Sequence, residues 1–326
     1  MMASLIQTVS LLAGITYEFH HVPPLQNQST TILFLHGFPS SLHSWRHQIE
    51  HFSRLGYGCL TPNLMGYGKT YSPLEYEEYR MKQMVLHLVA LLAHLKIETP
   101  VIVVGHDFGT VLATRFTLHE PARVKGLVLL NIGYGRPGPL DIDRAIEMSR
   151  LASGYEVFGY WRFFAQDPDA ADIIEKNAES FLDIGFPPSE QALDLWRANF
   201  TPTGQLKQWL IKGTRLPKRA SYLTDIDYHV YLGYLLEGMR SKLNWYKSRV
   251  NNVDRDDEKD LDPYLKTPCL FLAATRDAVA IPELFSSQKE FINDLTVKEI
   301  DSTHWMMEEK VNEVNEAIQQ WIHEKF

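Results

Sequence analysis

The apolar residues of this chain fall into two kinds of run, and their order predicts an α/β sheet. Short, nearly unbroken apolar stretches read as strands buried in a parallel sheet: TILFLH from Thr31, YGCLTPN from Tyr57, VIVVGH from Val101, VKGLVLLNI from Val124, CLFLAAT from Cys269 and LTVKEI from Leu295. GITYEFHHV, from Gly14, alternates well enough for an edge strand. Between these runs apolar positions recur at helical spacing, as in Trp45, Ile49 and Phe52, in Met84, Leu88, Leu91 and Leu95, and in the closing stripe Val311, Val314, Ile318, Trp321 and Ile322. Alternation of strands and helices argues for a parallel α/β core. From about Leu140 to Asp262 the pattern turns helical and aromatic, without valine or isoleucine runs, and the charged run DRDDEKDLDP ends it at Pro263. The expected organisation is therefore a first core segment, 1–138, a helical insertion, 139–262, and a second core segment, 263–326.

Composition narrows the partners. With 326 residues and 45% hydrophobic content the chain can bury a large core, and a formal net charge of -8 without a basic block argues against nucleic acid and anionic membrane surfaces. A neutral small molecule fits better. Nothing approaches 18 consecutive apolar residues, so no membrane span is expected. The opening MMASLIQTVSLLAG lacks a basic start and carries Gln7, Thr8 and Ser10 through its middle, which speaks against a secretory signal. The two cysteines, Cys59 and Cys269, fall in strand-like runs where a thiol acts as a small buried hydrophobe, as suits the cytoplasm. On that reading the sequon at Asn27 is unused.

Candidate chemistry centres on Asp107. Gly105 and Gly109 bracket it as G-x-D-x-G where a buried strand turns into a helix, the spacing of a nucleophile elbow with a carboxylate in place of serine. The competing reading is a helix N-cap. HGFPSS after the Thr31 strand leaves Gly37 and Phe38 as free backbone donors, because Pro39 has none. Two other polar residues stand near strand ends, Asp277 and His304, and with Asp107 they run in the order nucleophile, acid, histidine. Three tempting motifs lead elsewhere. His43, His47 and His51 lie four apart on a helix but lack a completing carboxylate or cysteine, so they are read as a solvated face and not as a metal site. GYGKT has Asn63 where a phosphate loop needs glycine, and GYGRPG at Gly133 is followed by prolines and no helical pattern.

The chain resembles the epoxide hydrolases of the α/β-hydrolase superfamily along nearly its whole length, in HGFP at His36, GHDFG at Gly105, VFGYWRFF at Val157, NWY at Asn244, RDAV at Arg276 and HW at His304. The resemblance implies an α/β-hydrolase fold with an inserted helical cap, an apolar epoxide substrate, and no cofactor or metal. It also implies a covalent route: Asp107 as nucleophile, Tyr160 and Tyr246 hydrogen-bonding the epoxide oxygen, and His304, oriented by Asp277, activating water. The amides of Phe38 and Phe108 would form the oxyanion hole, a contribution on the order of 3 kcal/mol per donor. Trp305, Phe158 and Trp161 are expected to touch substrate. Ordinary pKa values then place activity between roughly pH 6 and pH 9 to 10. The family's usual tryptophan after the nucleophile is Phe108 here, and its usual proline-aspartate is Pro62 and Asn63. A haloalkane or haloacid dehalogenase would use the same Asp, His and acid, and a non-catalytic ligand-binding protein could share the fold.

Overall fold

The computed structural model describes residues 6–11, 14–26 and 28–326, so the Asn27 sequon lies outside the described residues. The strands are β1 (Ile6–Ser10), β2 (Thr16–Val22), β3 (Thr31–Leu35), β4 (Gly58–Pro62), β5 (Val101–His106), β6 (Val124–Leu130), β7 (Cys269–Ala274) and β8 (Leu295–Ile300). Among the described residues they form one sheet in the order β1-β2-β4-β3-β5-β6-β7-β8, antiparallel at β1-β2 and β2-β4 and parallel from β4 onward. This is the expected α/β-hydrolase fold. The central strands β3, β5 and β7 are buried at every residue, which is why they read as unbroken apolar runs. At the β8 edge the burial alternates and Val297 is exposed.

Register aligns the strand ends. Leu35 lies opposite Gly105 and His106 opposite Leu130, so β3, β5 and β6 stop at one level and deliver Phe38, Asp107 and Asn131 just beyond it. Leu130 pairs with Leu272 and Ala274 with Ile300, which brings the turns carrying Asp277 and His304 to the same end of the sheet. The β6 strand closes at Leu130, two residues before the apolar run does, because Asn131 takes a left-handed φ of 66°.

Two expectations change. Ile6–Ser10, read from sequence as a mildly apolar opening, is the edge strand, and GITYEFHHV becomes the second strand, paired on both sides. No residue of β1 is fully buried, and only its pairing to β2 and the partial packing of Val9 against the core hold it, so no apolar run marks it. The histidine row is not a solvated face. His43 Nε2 lies 2.6 Å from Asp227, His51 Nε2 is 2.9 Å from Gln319 Oε1, and all three histidines are half-buried. Their partners come from segments far away in the chain, which helical spacing does not reveal.

Between β6 and β7 the described residues run as nine helices, from Ile142–Ser153 to Arg255–Glu258. They are tied to the sheet by buried polar contacts. Trp245 Nε1 donates to the Met65 carbonyl at 2.9 Å, the Tyr231 hydroxyl donates to Glu308, and Arg46 bridges Glu308 (2.9 Å) and Asp227 (3.0 Å). Arg115, on the helix Phe108–His119, pairs with Glu258 at 2.5 Å and donates to Gly135 O at 2.9 Å, while Glu258 accepts from Gly138 N at 2.8 Å. Both ionic side chains are only 2% exposed. Arg115→Met leaves Glu258 buried without this partner, and a loss of about 3–5 kcal/mol is expected in urea unfolding. A change below about 1 kcal/mol would mean that the pair is not needed. No helix among the described residues is long and apolar enough to cross a membrane. Cys59 and Cys269 are buried and unpaired, and burial pushes the Cys59 thiol up to about 12.

Candidate active site

β5 ends in the turn that the glycine spacing requires. Asp107 has φ 54° and ψ -126°, a backbone conformation that side-chain-bearing residues rarely adopt. A Cβ on Gly109 would overlap the Leu35 carbonyl oxygen, so only glycine lets the elbow helix sit this close to β3. The N-cap reading of Asp107 fails, because its side chain makes no capping bond; the Asp107 carbonyl instead accepts from Thr110 N at 2.9 Å and Thr110 Oγ1 at 2.7 Å. Its carboxylate points to the HGFP loop, where Phe38 N donates to Oδ1 at 2.8 Å. A Cβ on Gly37 would collide with this same carboxylate. Burial raises the Asp107 pKa, against the opposing charge of His304 and the pull of the Phe38 and Phe108 amides.

His304 faces Asp107 from the turn after β8. Its Nε2 is 3.9 Å from Asp107 Oδ2, and its Nδ1 is 2.7 Å from Asp277 Oδ2. Burial would lower the imidazole pKa, but the charge and hydrogen bond of Asp277 and the charge of Asp107 outweigh it, and the pKa is raised. For Asp277 burial acts upward. The charge and hydrogen bond of His304, with bonds from Val279 N (2.9 Å) and Asn131 Nδ2 (2.8 Å), carry its pKa below the usual carboxylate range. Asn131 and His106 were not singled out from sequence. Asn131 sits in the turn after β6, a strand-end position like those of Asp107 and Asp277, and that signal could have found it. His106 Nε2 lies 2.8 Å from the His304 carbonyl oxygen, joining the elbow to the His304 turn.

The two tyrosines come from different helices, Tyr160 from Tyr160–Gln166 and Tyr246 from Arg240–Val250, and their ring centroids lie 6.0 Å apart. Burial raises both phenols above their ordinary pKa, and the Asp107 charge adds to the effect. Two cavities meet at Asp107. A small one of about 20 Å³ is lined by both tyrosines, His304, Trp305, Phe181 and Trp196. A larger one of about 180 Å³ is lined by Phe158, Trp161, Phe108 and Tyr160, with Arg249 as a further charged side chain on its wall. Phe108 packs edge-on against Tyr246 at 4.8 Å, and Trp305 stacks on Phe186 at 4.1 Å. The residues expected from sequence thus line these two cavities, except Asp277, which stands behind His304. Asn63 lies apart from it, accepting from Leu42 N (2.9 Å) and donating to Glu18 (2.6 Å), so it braces the loop after β3 against β2.

A profile described as alpha/beta hydrolase fold matches residues 30–311. The chain belongs to the alpha/beta hydrolase fold family. Among curated relatives, the chain is 30% identical over 294 residues to a protein named bifunctional epoxide hydrolase 2 from Rattus norvegicus, covering 89% of this chain and 51% of that protein. It is 28% identical over 307 residues to epoxide hydrolase A from Mycobacterium tuberculosis, covering 89% of each. The chain therefore spans about half the length of the rat relative and most of the mycobacterial one. Among solved structures, an epoxide hydrolase from an endophytic Streptomyces superposes with a TM-score of 0.82 over 98% of this chain and 95% of that one, at 24% identity, a likeness of fold.

Proposed function

We propose that this alpha/beta hydrolase is an epoxide hydrolase, converting an apolar epoxide and water to a vicinal diol through an ester on Asp107. The reading rests on one arrangement: a buried carboxylate on an elbow, with two tyrosines lining its cavity and His304 paired to Asp277 behind it. The names of the curated relatives support it. In this reading residues 139–262 act as a cap that supplies both tyrosines, and 1–138 with 263–326 form the catalytic core. Asp107 Oδ2 attacks a ring carbon, the carbon–oxygen bond breaks, and Tyr160 or Tyr246 gives its proton to the released oxygen. Next, His304 Nε2 takes a proton from water, whose oxygen adds to Asp107 Cγ. The Phe38 and Phe108 amides hold the resulting oxyanion. On collapse the departing diol oxygen takes the proton from His304, and the proton of the regenerated carboxyl returns to the tyrosinate. A serine in place of Asp107 would leave an ether, which this machinery could not hydrolyse.

Incubation of the purified protein with styrene oxide is expected to give phenylethane diol. Epoxide loss no faster than in buffer, over a panel of aryl and alkyl epoxides, would end the proposal. The buried, unpaired thiols suit a reducing, aqueous compartment such as the cytoplasm.

The pH dependence follows from the shifted groups. His304 must be neutral to accept a proton, and a raised pKa means that its neutral form is lost earlier as pH falls. Asp277 keeps its charge and its hydrogen bond to His304 while Asp107 is esterified, although the raising effect of the Asp107 charge is lost there, so kcat is expected to fall as pH drops through the imidazole range around 6.5. The phenols must stay protonated, and burial raises both, so the alkaline limb is expected above about pH 10. A kcat profile that is still flat at pH 5.5 would count against His304 as the base.

A further inference from the structure

The two cavities at Asp107 differ greatly in size, and the difference bears on what can react. Asp107, Tyr160 and Val279 line both, so the reacting centre lies where they meet. One lobe is about 180 Å³ and the other about 20 Å³. A cavity needs roughly 10–15 Å³ to hold one water, and an apolar cavity of about 150 Å³ takes a benzene ring. On this scale the large lobe holds an aryl or short alkyl group, and the small one a single water. His304 lines the small lobe and not the large one.

We infer that this protein is selective for terminal epoxides, those with one bulky substituent on one ring carbon and a CH₂ as the other. The inference rests on the epoxide hydrolase reading and names its substrate class. The substituent occupies the large lobe, among Phe108, Phe158 and Trp161. The CH₂ faces the small lobe, whose remaining space beside His304 belongs to the hydrolytic water. A second bulky group would have to displace that water and then push back the walls.

Those walls are tethered. Trp196 stacks on Phe200 at 4.8 Å and donates Nε1 to the Ile184 carbonyl at 2.6 Å. Trp305 stacks on Phe186 and donates Nε1 to the Gly185 carbonyl at 2.8 Å. Phe181 is fully buried and packs against Phe38 and Phe164. Swinging either indole aside would orphan a buried N–H, and moving Phe181 would break its packing against Phe38 and Phe164. The small lobe therefore stays small when substrate arrives.

The test is a matched series given to the full chain: styrene oxide, trans-β-methylstyrene oxide and trans-stilbene oxide, with kcat/KM measured for each. Styrene oxide is expected to lead the methyl compound by about tenfold or more, the scale on which one carbon too many is rejected by a filled pocket. Stilbene oxide is expected at background. Phe181→Ala and Trp196→Ala each enlarge the small lobe, and each should raise the ratio of stilbene oxide to styrene oxide turnover by about tenfold or more. Two variants are used so that a folding failure in one leaves the other to decide. Equal kcat/KM for styrene and stilbene oxides in the unaltered protein overturns the selectivity and leaves the epoxide hydrolase reading standing. Folded variants with unchanged ratios overturn the assignment of the walls. Absence of diol from all three substrates removes the epoxide hydrolase reading itself, and the inference with it.

Discussion

A single turnover in heavy-oxygen water is expected to place the label in the Asp107 carboxylate and leave the first diol unlabelled. The elbow presents Oδ2 toward His304 while Oδ1 accepts from the Phe38 amide, which on the proposed route leaves one oxygen to attack and seats the other in the oxyanion site. If Asp107 attacks carbon, the diol oxygen that appears first was a side-chain oxygen, and water replaces it by adding to the ester carbonyl. Later turnovers then carry label into diol. Were Asp107 a general base, water would attack the epoxide directly and label would enter the first diol. Peptide mass spectrometry distinguishes the two, and an unlabelled Asp107 peptide beside labelled diol would sink the covalent route. On the same argument Asp107→Ala should lower diol formation by about 10⁴-fold or more, because every later step acts on the ester it forms.

The second large effect is expected at His304. His304→Gln should still open one epoxide per protein and then stall, with kcat down by about 10⁴-fold and the intact mass raised by the mass of the epoxide. The reason is positional. His304 Nε2 stands 3.9 Å from Asp107 Oδ2, a separation at which water can be activated against the ester, while on the proposed route ring opening would draw its proton from a tyrosine. The charge of His304 also pulls the Asp107 pKa down against burial, so the variant is best examined at alkaline pH, which favours the ionised carboxylate. A folded His304→Gln protein that binds epoxide yet gains no mass would remove His304 from a second-step role. Tyr160→Phe combined with Tyr246→Phe should show the opposite pattern, with slow mass gain and no stalled ester.

Much of this site is legible in the chain because it obeys local rules. The unbroken runs of β3, β5 and β7 mark strands buried on both faces, and polar residues just past such strands stand where a parallel sheet presents its chemistry. The left-handed backbone at Asp107 follows from the sharp turn that Gly105 and Gly109 permit, so spacing alone locates the elbow. Other features carry no local mark. β1 is held largely by main-chain pairing to β2, with only Val9 packed against the core, and main-chain pairing is open to any side chain. His43 and His51 find Asp227 and Gln319 across long stretches of sequence, and helical spacing describes only the element it lies on. Asn131 falls inside the apolar run VKGLVLLNI and so reads as part of the strand; only its left-handed backbone and its contact with Asp277 set it at the strand end and give it a role.

By itself, then, the sequence marked the strands from β2 onward, the helical insertion, and Asp107, Asp277 and His304 as groups near strand ends, since these depend on residue type and short spacing, whereas Tyr160 and Tyr246 were singled out only through the family resemblance of their motifs. The tertiary structure decided how far apart those groups stand, which way each pKa moves, and how much room lies on either side of Asp107. Each of those quantities is set by several segments at once. The small lobe is walled by Phe181 and Trp196 from separate helices and Trp305 from beyond β8, and its volume is what remains after all of them have packed. Close packing makes that remainder specific, but it is a difference between large filled volumes, and no single stretch of sequence contains it.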